Sequence, residues 1–155
     1  MTTYVKQMQR IVDEYRPGGL PWPTSAKSIA DWAIGTGRWE LPVAAIRRRC
    51  ADDIASAMRE EYITDRKGRR VRLLHPAAIL MEGQTEMLWD DIRTARRDHM
   101  QISFQHRRKG IVGDCRQMKL DVDSYNDAHP DAEPIQIVFD FTMDLAELEA
   151  ADEAA

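Results

Sequence analysis

Pro42 to Leu74 constrains this chain more than any other stretch, because it reads as one long helix running without a spacer into a two-stranded basic hairpin. Pro42 suits a first helical position, where its missing N–H and fixed φ cost nothing. Val43, Ile46, Cys50, Ile54 and Ala57 then recur at three- and four-residue steps and make one apolar stripe. At about 100° per residue the opposite face carries Ala44, Arg48, Ala51, Ala55 and Arg59, with Asp52 between them. Small side chains there let another surface come close. After Glu61, the runs Tyr62-Ile63-Thr64 and Val71-Arg72-Leu73-Leu74 have strand character. The intervening Asp65-Arg66-Lys67-Gly68-Arg69-Arg70 has turn chemistry, with Gly68 able to take a positive φ.

Upstream, Tyr4, Met8, Ile11, Val12 and Tyr15 keep helical spacing until Pro17-Gly18-Gly19 ends the segment. Leu20-Pro21-Trp22-Pro23 is a stiff loop that Trp22 is expected to clamp onto the core. Thr24 or Ser25 then caps a short helix carrying Ile29, Ala30, Ala33 and Ile34, which Gly35-Thr36-Gly37 stops. Trp32 and Trp39 flank that turn and are assigned to packing. Over roughly Tyr4 to Pro76 this order of elements resembles the winged helix-turn-helix domains, with the helix from Pro42 as recognition helix and the basic hairpin as wing. The resemblance implies binding to double-stranded DNA. Arg48 and Arg47 would read bases near the helix start, and Arg59, Lys67, Arg69 and Arg70 would touch phosphates. Arg66 and Arg72 complete the cationic set, while Asp52 opposes it.

The formal net charge of −4 conceals a division: all 22 Lys and Arg lie at or before Lys119 with 15 of the 26 acids, leaving +7 there and −11 in residues 120–155. Such asymmetry fits a polyanion-binding body with an acidic tail, or a basic surface for an acidic protein. A 43% hydrophobic, 31% charged composition is that of a soluble globular chain, and no apolar run approaches the roughly 20 residues that span a bilayer. Met1-Thr2-Thr3-Tyr4 lacks the form of a secretory signal, so a cytoplasmic location is expected. Cys50 and Cys115 are expected to be packed thiols without a disulfide.

Ala77 to Gly83 is expected to be a short connection, and Thr85 to cap a helix carrying Met87, Leu88, Ile92 and Ala95. From Asp98 to Asp127 no proline intervenes, and Ile111, Cys115, Met118, Val122 and Tyr125 form a narrow seam of alternating four- and three-residue steps. Gly110 and Gly113 could break that helix. The seam suits pairing with the Thr85 helix, the first helix, or a second copy through residues 111–125. Asn126 to Pro134 reads as a loop, and Ile135 to Phe141 as a strand without a nearby hairpin partner, open to a protein. Within it Gln136, Ile137, Val138, Phe139 and Phe141 are the partner-binding candidates. They are similar to the glutamine-plus-hydrophobic peptides that dock on bacterial sliding clamps, with Ile and Phe where Leu and Phe are usual. Residues 144–155 are acidic and expected to be disordered or weakly helical.

No catalytic pattern emerges. His75, His99, His106 and His129 lack metal-ligand spacing, and Asp52-Asp53, Glu60-Glu61 and Asp90-Asp91 are neighbours that point apart on a helix. His106-Arg107-Arg108-Lys109 is a second basic cluster that reads equally as a solvated face. The sequence therefore predicts a mainly α chain with a small β-hairpin. A winged-helix-like domain over 1–76 is followed by a helical extension over 77–129 and a C-terminal strand with an acidic tail over 130–155. The expected function is non-enzymatic DNA binding of winged-helix type, regulatory or replication-related, without cofactor or metal. The alternative is an adaptor or accessory subunit, of the kind a bacteriophage or mobile element carries, that docks through its C-terminal strand and tail.

Overall fold

The structure is a computed structural model that describes residues 3–155, and it falls into two compact units, one up to Ala57 and one from Met58 on. In the first unit, α1 (Thr3–Tyr15) and α2 (Ala26–Gly35) pack on each other. Ser25 caps α2 through its hydroxyl, which accepts the Ser28 N–H at 3.1 Å, and the chain leaves at Gly37 with φ +66°. Ile11, Tyr15 and Ala33 are the buried hydrophobic residues here. Tyr15 meets the Trp32 ring edge-on at 5.3 Å and donates to the Pro21 carbonyl, and the Trp39 indole N–H donates to the Tyr4 hydroxyl at 3.0 Å. Both tryptophans of the turn thus pack. Trp22 instead is half exposed beneath the Arg16 guanidinium.

A 3-10 turn, Val43–Ala45, leads into α3 (Ile46–Arg59). Its apolar stripe does not face a core: Val43, Ile46 and Ile54 are 84%, 53% and 54% exposed, and Cys50 is exposed as well. The half-buried residues of the helix are Ala45, just before it, Ala55 and Met58. The small-residue side expected to meet a ligand is therefore the less exposed one, and Cys50 is not a packed thiol. Periodicity fixes that two faces differ; it does not fix which one is buried.

The second unit opens with β1 (Tyr62–Thr64) and β2 (Arg70–Arg72), antiparallel with Ile63 opposite Val71. Next come β3 (Leu74–Met81) and β4 (Gln84–Asp91), a second antiparallel hairpin with Ala77 opposite Leu88. This corrects the expected connection at 77–83 and the expected helix from Thr85. Glu82 and Gly83 both take positive φ, 49° and 81°, the conformation of a tight two-residue hairpin turn. Met87, Leu88 and Trp89 fit either a helical or a strand period over so short a run, and pairing decided. Pro76 sits in β3, whose other edge carries no ladder, so its missing N–H costs nothing.

The helical part of the extension starts only at α4 (Arg97–Ala128), 32 residues or about 48 Å long. It runs without a break through Gly110 and Gly113, the two residues that could have interrupted it. Its first turns pack on β3, and Ser103 of the helix, 1% exposed, and Ala77 of the strand, 0%, are both buried. His75, also buried, meets the Phe104 ring edge-on at 5.6 Å. Residues 135–141 carry no regular secondary structure and join no sheet, which corrects the C-terminal strand, and α5 (Thr142–Ala154) is a helix where disorder or weak helicity was expected. The mainly α expectation holds, with two small hairpins instead of one. Among the described residues no helix is long and apolar enough to cross a membrane.

Candidate nucleic-acid interface

The β1–β2 hairpin is organised by Asp65. Its Oδ1 accepts the N–H groups of Lys67 and Arg69, both at 2.9 Å, and its Oδ2 takes the Arg69 side chain at 2.7 Å. The Asp65 N–H donates to the Arg69 carbonyl, and Gly68, at φ +79°, donates to the Asp65 carbonyl. The Arg69 N–H, foremost among these groups, holds the Asp65 carboxyl below the usual carboxylate range. The loop is therefore a braced turn, and the sequence signal for it was the Asp at the start and the Gly three residues on.

That bracing sorts the cations expected to bind DNA. Arg69 is committed to Asp65, Arg70 lies 4.1 Å over the Tyr62 ring, and Arg59 lies 5.5 Å over the Trp89 ring. Arg72 is half-buried, with its carbonyl accepting from His75 Nε2 at 2.9 Å. Arg66 and Lys67 stand exposed at the tip, and among the described residues neither makes an ion pair. In the first unit, Arg47 and Arg48 are exposed and likewise without an ion pair, whereas Arg49 reaches Asp53 at 3.2 Å one turn on. Arg48 lines a groove with Tyr4, Trp39, Ala45 and Asp52, so the acid that opposes the cations in the sequence does sit beside it.

Sequence reasoning missed a second clasp, at the end of β4. Arg93 grips Asp91 at 2.7 Å and donates its N–H to the same carboxylate at 2.8 Å. The guanidinium, foremost, lowers the Asp91 pKa to about 2. Past the end of the hairpin Arg93 is thus a brace rather than a free cation.

The partner-binding candidates lie against α4. Asn126 clips the start of the segment, its Nδ2 donating to the Ile135 carbonyl at 2.9 Å and its Oδ1 accepting the Ile135 N–H at 3.0 Å. Gln136, Ile137, Val138 and Phe139 then run beside Val122 and Lys119, and Phe139 and Phe141 reach Ile111, Val112 and Cys115. All remain exposed, Val138 most among the apolar ones at 77%. Among the described residues no group of three or more His, Cys, Asp and Glu is placed to hold a metal. Comparison with protein-family models, curated proteins and solved structures finds no match to this chain.

Proposed function

We propose that this chain is a non-enzymatic DNA-binding protein of winged-helix type, in which phosphate contacts fall to Arg66 and Lys67 at the hairpin tip and base contacts to Arg47 and Arg48 at the start of α3. The observation that carries the reading is the braced turn: Asp65 uses Arg69 to fix the loop and leaves the two tip cations exposed, without an acid partner among the described residues. The order of three helices followed by a hairpin with a cationic tip supports it. So does the net +7 of residues 1–119. Arg70 and Arg59, stacked on aromatic faces, keep N–H groups for a phosphate. Regulation of transcription or of replication would follow from such binding.

Anisotropy titration of a labelled duplex at two salt concentrations tests it. Arg66→Ala with Lys67→Ala weakens binding alike on all sequences and flattens the salt slope by about 0.9 for each phosphate that is no longer neutralised. Arg48→Ala instead reduces discrimination between sequences. No binding by the intact chain at low salt would sink the proposal.

The second reading is a protein adaptor, favoured by one specific observation. Ile46 and Ile54 on α3, and Ile111, Met118 and Tyr125 on α4, are each about half exposed in rows that a DNA surface would not cover. Titration against DNA separates the two readings, since an adaptor has no salt-dependent affinity for a duplex.

A further inference from the structure

Beyond its first turns α4 runs exposed on nearly every side, and its apolar residues are not scattered. Ile111, Met118 and Tyr125 recur at seven-residue steps, which places them in one row down the helix, each about 10.5 Å from the next. They are 56%, 47% and 51% exposed. The chain's own segment 135–141 runs beside Arg108, Val112, Cys115 and Lys119 and reaches the row at Ile111, which it leaves 56% exposed, but not at Met118 or Tyr125. Tyr125 is held in place by His129, which stacks on its ring at 4.1 Å and is itself tied to the Tyr125 carbonyl at 2.7 Å. A row of large side chains presented on a rigid helix needs a surface of matching length.

The charges of the same helix say what that surface is. Residues 97–119 hold six Lys and Arg against two Asp, whereas residues 120–128 hold three Asp and no cation. A helix so polarised repels a parallel copy along its whole length and attracts an antiparallel one, basic part over acidic part. We propose that a second copy of this chain covers the row, with the two α4 helices antiparallel about a two-fold axis at Met118. Ile111 of each copy then meets Tyr125 of the other, and Met118 meets its own equivalent. This interface is isologous, so it closes at a dimer. It lies within the second unit and involves no nucleic acid, so it stands or falls independently of DNA binding.

Site-directed cross-linking tests both the pairing and its direction, in a full-length background with Cys50→Ser and Cys115→Ala. Light scattering of the unmodified protein gives a dimer at micromolar concentration, weakened by salt. Ile111→Cys chains and Tyr125→Cys chains, oxidised separately, stay uncross-linked, and oxidised as a mixture they form the covalent heterodimer. Met118→Cys alone cross-links fully. Met118→Glu gives a monomer with unchanged helix content, and Met118→Leu keeps the dimer. A monomer at all concentrations overturns the proposal, as does a mixture that fails to cross-link. Cross-linking of Ile111→Cys with itself means parallel helices and overturns it equally.

Discussion

His75 illustrates how one buried residue ties elements together. Its Nε2 donates to the Arg72 carbonyl, which leaves Nδ1 as the ring's acceptor, while its own carbonyl accepts from His99 Nε2 at 2.8 Å. Burial, first, lowers its pKa below the ordinary 6.5 against the raising effect of the hydrogen bond to the Arg72 backbone, and Arg107, Arg72 and His99 add to the lowering. The folded state therefore takes up its proton later than the unfolded chain as pH falls. Its contribution to stability is complete above the unfolded pKa, near 6.5, and is lost as pH drops from there toward the lower folded value. Thermal melts at about pH 7.5 and about pH 5.5, either side of that value, check this: Tm falls at the lower pH, and His75→Asn reduces the fall. At Asp65 a second residue-scale test is available. Asp65→Ala removes the acceptor of two backbone N–H groups and an ion pair from the hairpin turn, so it loosens residues 65–69 to amide exchange, whereas Arg66→Ala leaves their protection unchanged.

At the scale of elements, α4 and the strap of residues 135–141 beside it give two clean variants. A Cβ built on Gly110 or on Gly113 meets nothing within 4 Å, so alanine fits both sites without strain. Gly110→Ala with Gly113→Ala is expected to stabilise the exposed part of α4 by about 0.5 to 1 kcal/mol per site, seen as slower amide exchange over residues 105–125. The strap is held at its start by the two Asn126 hydrogen bonds, each contributing about 0.5 to 1.5 kcal/mol. Asn126→Ala frees residues 135–141 for proteolysis while the β3–β4 hairpin keeps its protection. Equal loss of protection in both would show that the strap and the hairpin unfold together.

Over the whole molecule the dominant quantity is charge. Asp144, Glu147, Glu149, Asp152 and Glu153 all lie on α5, and none forms an ion pair among the described residues. A tethered acidic helix competes with an external polyanion for the cations of residues 1–119, most strongly where screening is weak. Deleting residues 143–155 is therefore expected to tighten DNA binding several-fold below about 0.1 M salt and to change little at high salt. Equal affinity of the full and shortened chains at low salt would show that the acidic helix has no part in DNA binding.

Much of this was legible in the residues. The helices through Ile11 and Ala33, the Gly35-Thr36-Gly37 turn, the braced basic turn at Asp65 to Arg69 and the uninterrupted run to Asp127 are set by local chemistry: capping oxygens, glycines at positive φ, and repeats of three and four. The tertiary structure decided what local chemistry leaves degenerate. Residues 74–91 fit both periods over each short run, and pairing of Leu74 with Asp91 through Met81 with Gln84 chose the hairpin. The run at 135–141 has strand propensity but no ladder, because a strand is completed by a neighbour's backbone and Asn126 offers only one amide in its place. On α3 the sequence defined an apolar stripe and a small-residue face, and packing alone determined that Ala55 is the more buried and Ile54 the more exposed. The sequence settles the pattern along an element; which side of it is covered depends on the atoms that arrive from elsewhere.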